Sequence, residues 1–90
     1  MNTLNAVLYN ETLMAISLLQ CGLERFNKQF TGFNKRQLEA YIEGLDKVSL
    51  EFKSCYRGPM LIKLEVLQRV QHVRGEAIIA IHEFNQLSNI

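Results

Sequence analysis

Ninety residues, 48% of them hydrophobic and 21% charged, make enough chain for one globular domain. A net charge of +1 excludes a global field drawing the molecule to nucleic acid or an anionic membrane, so any such contact needs a local patch. A single Pro, five Gly and the lack of any Ser/Pro-rich run argue against a disordered tail or linker.

The first segment carries Thr3 as a candidate N-cap of a helix running to Lys28. A shorter helix capped by Asn10 is the alternative, and the long one is preferred. Leu13-Met14-Ala15-Ile16-Ser17-Leu18-Leu19 is apolar nearly all round. A helix apolar on every side needs burial on every side. Thr31-Gly32 closes this segment.

The second segment opens at Phe33-Asn34-Lys35-Arg36-Gln37-Leu38. Asn34 suits the cap, Gln37 completes a capping box, and Phe33 and Leu38 are spaced as a hydrophobic staple. The helix expected over 35–56 then carries Leu38, Tyr41, Leu45, Val48, Phe52 and Cys55 at steps of three and four, a heptad seam. Glu43 and Lys47 stand at the favourable i, i+4 spacing on the outer face. Arg57-Gly58-Pro59 ends the helix, with Gly58 free to take a left-handed conformation and Pro59 unable to continue the ladder.

Pro59 suits the first turn of a third helix over 59–87. Val66, Val70, Val73, Ala77, Ala80, Phe84 and Leu87 form its seam, and Leu64, Leu67, Ile78 and Ile81 add a second apolar line. Gly75 costs about 1 kcal/mol relative to Ala inside this helix, and the unbroken apolar phase favours a close helix contact over a kink. Glu65 and Arg69 read as an ordinary i, i+4 pair. Helices of this length run about 37 Å, and short connections make neighbours antiparallel. The expected fold is all-α: an antiparallel up-down-up three-helix bundle in one domain, 1–90.

Catalytic chemistry has little to work with. His72 and His82 stand about 15 Å apart along one helix axis and cannot share a metal ion. His72 and Glu76 at i, i+4 can jointly touch a cation, but the simpler reading is a surface pair. Cys21 and Cys55 fall on apolar spacings and read as buried, reduced thiols rather than a redox or zinc motif. No phosphate loop, zinc-protease motif or nucleophile elbow occurs. We expect no enzyme, no cofactor and no metal site.

The unusual stretch is 25–36, where basic and aromatic residues alternate around one turn. Arg25 and Lys28 suit the C-terminal end of a helix, whereas Lys35 and Arg36 at a helix start oppose the dipole. A local rule broken without compensation hints at function. Arg25, Lys28, Phe30, Phe33, Lys35 and Arg36 are the candidate partner-binding residues. The simpler reading has the phenylalanines closing the bundle end and the charges solvated. A second basic scatter, Lys53, Arg57, Lys63, Arg69 and Arg74, is interrupted by Glu51, Glu65 and Glu76 and makes a poor nucleic-acid footprint.

A three-helix monomer would leave part of the first helix wet, so a homodimer is expected with Leu13, Met14, Ile16, Leu18 and Leu19 at its interface. The expected function is a small non-enzymatic interaction protein: a regulator, adaptor or inhibitor of a larger partner, of the kind bacterial or phage accessory genes encode. A nucleic-acid-binding regulator using the basic and aromatic turn is the alternative. A carrier with an apolar pocket between the first and third helices comes third. The N-terminus lacks the features of a signal peptide, and the longest unbroken apolar run is far short of the roughly 20 residues of a membrane span. The expected setting is cytoplasmic, with no membrane.

Overall fold

The computed structural model describes residues 3–88, which form three helices and, among the described residues, no strand. They are α1 (Thr3–Lys28), α2 (Gly32–Cys55) and α3 (Met60–Ser88). The helices pack into a slim bundle with extents of 51 × 18 × 18 Å. α1 is the long form, and Asn10 lies inside it.

Each helix supplies a buried line at the spacing its sequence implies. α1 gives Leu8, Ile16, Leu19, Leu23 and Phe26; α2 gives Leu38, Leu45 and Phe52; α3 gives Val66, Val70, Val73, Ala77 and Ala80. On α2 the buried residues recur every seven positions, while Tyr41 and Val48 are only half-buried. On α3 Phe84 is half-buried and Leu87, one turn further, is exposed. Of the second apolar line on α3, Leu67 and Ile81 pack on the core, whereas Leu64 and Ile78 remain exposed.

Three polar side chains, Asn5, Thr12 and Asn34, sit in the interior, each with a hydrogen bond. The Thr12 hydroxyl donates to the Leu8 carbonyl one turn back at 2.8 Å. Asn5 Oδ1 accepts from the Arg57 backbone N–H at 2.9 Å, which ties α1 to the connection between α2 and α3. A buried amide without such a partner would cost about 1–3 kcal/mol.

The caps differ from the sequence expectation. α2 begins three residues earlier than Asn34 suggests. Thr31 is its N-cap, in extended conformation, and its hydroxyl accepts from the Asn34 N–H at 3.1 Å. Asn34 is instead a buried helical residue whose Nδ2 donates to the Gln29 carbonyl at 3.0 Å. That bond ties α2 back to the connection that follows α1. No staple forms, and Phe33 stays exposed. At the other end Tyr56 caps α2, its N–H donating to the Phe52 carbonyl at 2.9 Å. No described glycine has positive φ, so Gly58 does not make a left-handed cap. It is needed for space: a Cβ there would collide with the hydroxyl end of Tyr56. Pro59 precedes α3 and accepts from the Lys63 N–H at 3.1 Å.

Gly75 is not a contact glycine, because a Cβ added there meets no atom within 4 Å. The close approach falls at Gly22, which is buried on α1. A Cβ at Gly22 would stand 2.6 Å from the Tyr41 ring, so the missing side chain is what lets Tyr41 of α2 lie against α1.

Both cysteines are free and exposed, against expectation. On α1 the buried set is Leu19, Gly22, Leu23 and Phe26, and Cys21 points away from it. On α2 the core continues from Phe52 to Tyr56, which turns Cys55 outward. Neither Glu43–Lys47 nor Glu65–Arg69 closes as an ion pair among the described residues. The pairs that form are Glu24–Lys28 at 3.4 Å, His72–Glu76 at 2.7 Å and, between helices, Asp46–Arg74 at 2.8 Å. Asp46 receives two guanidinium hydrogen bonds, which raise the Arg74 pKa above its already high ordinary value despite partial desolvation.

Candidate functional site

Two surfaces hold the residues singled out from sequence. The first is the bundle end at the α1–α2 connection. Phe26 is its buried anchor. The Phe30 ring meets it edge-on at 5.0 Å, and Phe84 from α3 meets it at 5.5 Å. Lys35 Nζ sits 5.8 Å from the centre of the Phe84 ring, within cation–π range. Arg25 reaches from α1 to α2 and donates to Gln37 Oε1 at 3.1 Å. Lys28 pairs with Glu24.

The six candidate residues therefore gather at one end but do not share one condition. Phe30 and Lys35 help close the aromatic cluster while still reaching solvent. Arg25 and Lys28 each have a partner. Phe33, 62% exposed, makes no ring contact among the described residues, and Arg36 is exposed without an ion pair or side-chain hydrogen bond among them. Phe33 and Arg36 are the side chains most available to another molecule. Phe84 belongs to this end as well. Sequence reasoning put it in the α3 seam and had no local signal linking it to the turn.

The second surface is the outward face of α1. Ile16 and Leu19 are fully enclosed in the chain's own core, and Leu13 is half-buried against it. They are unavailable or barely available to a second molecule because the core phase of α1 runs through them. Met14, 65% exposed, and Leu18, 48% exposed, do face outward, joined by Leu4 and Val7. Next to Met14 and Leu18 lies an open groove of about 270 Å³, walled on the α2 side by Ala40, Gly44 and Val48. This largely apolar groove thus lies between α1 and α2. Along the α1–α3 boundary a depression is lined by Gln20, Glu24, Asn27, Lys28 and Glu76, with Leu23 beneath. Leu4, Val7, Ala40 and Gly44 were missed from sequence. The signal that finds the first two is the alternation of three and four from Leu4 through Val7, Glu11 and Met14 to Leu18.

By length and composition α1 is also long and apolar enough to cross a membrane, a test that the core helix of a bundle passes too. The described residues contain no cluster of three or more His, Cys, Asp and Glu side chains suited to a metal ion. His72 and Glu76 pair with each other on the open surface of α3. Comparison with family models, with curated proteins and with solved structures finds no match for this chain.

Proposed function

We propose that the chain is a small, non-enzymatic interaction protein that docks its α1–α2 end onto an acidic surface of a larger protein. The observation that carries this reading is charge asymmetry. Residues 25–36 hold four basic and no acidic side chains, together with three of the chain's five phenylalanines, so the rest of a molecule of net charge +1 carries −3. The exposed Phe33 and the half-exposed Phe30 supply apolar anchors, and the basic ring around them supplies orientation. The whole end is only as wide as an 18 Å bundle. That suits a convex plug for a partner's pocket better than a groove tracking a nucleic-acid backbone, which would extend over several nucleotides.

Several further points belong to the same reading. The bundle runs up-down-up, supported by the Asn5–Arg57, Asp46–Arg74 and Phe26–Phe84 contacts. The chain works as a homodimer in the cytoplasm, where its exposed thiols stay reduced.

The test is a titration of the purified chain against random single- and double-stranded oligonucleotides at several salt concentrations. The expected result is no saturable binding. Salt-sensitive micromolar binding that disappears in Lys35→Glu with Arg36→Glu would move the function to nucleic acid. That variant is expected to keep its fold. Acidic residues in the first turns of α2 gain about 0.3–1 kcal/mol from the dipole, which offsets about 0.5–1 kcal/mol for the lost Lys35–Phe84 contact.

A further inference from the structure

We propose that the exposed face of α1 is a self-association surface on which two copies pack antiparallel across a two-fold axis. Each copy lays Met14 and Leu18 into the other's groove between α1 and α2. This rests on the interaction-protein reading above and gives its dimer a geometry.

Four observations converge on it. First, α1 carries two apolar seams and the bundle fills only one. Leu4, Val7, Met14 and Leu18 follow heptad spacing with Glu11 between them, and the four apolar members are 44–65% exposed. α3 offers no such continuity, since its exposed Leu61 and Leu64 are parted from Ile78 and Ile79 by the exposed polar Gln68, Arg69, Gln71 and His72.

Second, the seam borders a hole of the right kind. The groove floor on α2 is Ala40 and Gly44, and a Cβ added at Gly44 meets nothing within 4 Å. A knob from a second helix has room there.

Third, the chain is over-exposed for its size. It presents 6028 Å² to solvent. A compact folded monomer of 10.4 kDa presents about 5,400 Å². The excess, about 600 Å², combines what an elongated 51 × 18 × 18 Å bundle adds over a compact body with exposed apolar seams such as that of α1.

Fourth, charge selects the direction. A parallel pair would bring two ends bearing Arg25, Lys28, Lys35 and Arg36 together and set Glu11 against its own copy. An antiparallel pair places the basic ends at opposite poles. With the axis between Met14 and Leu18, each Glu11 then lies one helical turn from the partner's Arg25, close enough for the two long side chains to meet.

The experiment is sedimentation equilibrium on the full chain at tens of micromolar, with distances measured between spin labels. Wild type is expected to be a dimer. Gly44→Leu fills the groove floor, and Met14→Glu with Leu18→Glu charges the knobs. Both are expected to be monomers with wild-type helicity by circular dichroism. With the exposed Cys21 and Cys55 changed to Ser, nitroxides on Asn27→Cys are expected about 33 Å apart along the helix axis in the dimer. A short separation would mean a parallel pair and overturn the geometry. A dimer that survives both groove variants would place the interface elsewhere. A wild-type monomer would end the proposal, and flotation of that monomer with phosphatidylcholine vesicles would assign the α1 face to lipid. A monomer whose α1–α2 end still retains a partner leaves the interaction reading standing. A dimer with no such partner does the reverse.

Discussion

Gly22 and Gly75 both sit inside helices, and their neighbours give them opposite roles. Alanine in place of a helical glycine normally stabilises by about 0.5–1 kcal/mol, because the unfolded chain loses freedom and the helix loses none. Gly75 has open space around it, so Gly75→Ala is expected to raise stability by about that amount. Gly22 lies under the Tyr41 ring, and its Cβ would arrive at 2.6 Å. Gly22→Ala is expected to lower stability, since Tyr41 must leave its seat. Urea melts of the two variants beside wild type give the signs directly, and two shifts of the same sign would refute the assignment. Tyr56 offers a second test at this scale. Its ring stacks on Phe52 at 4.5 Å, but its hydroxyl is buried with no hydrogen-bond partner among the described residues. Removing an unsatisfied buried hydroxyl relieves a desolvation cost of about 1–3 kcal/mol. Tyr56→Phe is therefore expected to raise the melting midpoint, and a lower midpoint would reveal a partner for that oxygen.

The helices themselves follow from short-range pattern, and the deviations come where pattern has no unique answer. Leu38, Leu45 and Phe52 on α2, and Val66 through Ala80 on α3, were legible because a seven-residue repeat of apolar side chains on a helix has one face to bury. The repeat loses its authority at helix ends. Cys55 continues the seam by spacing, yet Tyr56 takes the last core place because the backbone turns extended there. The start of α2 was ambiguous in the same way. Thr31 and Asn34 are both good capping residues, and the choice was made by the bond from Asn34 to Gln29, which no local rule anticipates. Thr31→Ala is accordingly expected to cost about 1 kcal/mol by chemical denaturation, the usual worth of an N-cap oxygen. No loss on that change would return the cap to Asn34. The candidate site was readable as composition, since residues 25–36 stand out by charge and aromaticity. Which of its side chains serve the bundle was not readable. That depends on Phe84, brought from the far end of the sequence to meet Phe26, Phe30 and Lys35.

At the scale of the molecule, a thin three-helix bundle has little core to spare. Leu45 and Phe52 are completely buried, and truncating either to Ala is expected to cost about 2–5 kcal/mol. Against a typical total of about 5–15 kcal/mol, that is enough to unfold a visible fraction of the chain. An unchanged melting midpoint in both variants would mean that the core is misassigned. By contrast, the Asp46–Arg74 bridge is more than a third exposed at both side chains, and Asp46→Asn is expected to cost less than about 1 kcal/mol. Stability thus rests on the apolar interior, which leaves the basic end and the outer face of α1 available for other molecules. The reading of that basic end as a protein-docking surface is tested most directly by affinity capture from native lysate after nuclease treatment, comparing wild type with Lys35→Glu and Arg36→Glu together. The account predicts that wild type retains a larger protein after nuclease and that the charge-reversed chain, equally helical, loses it. Retention of the same protein by both chains, or loss of every partner on nuclease treatment, would contradict it.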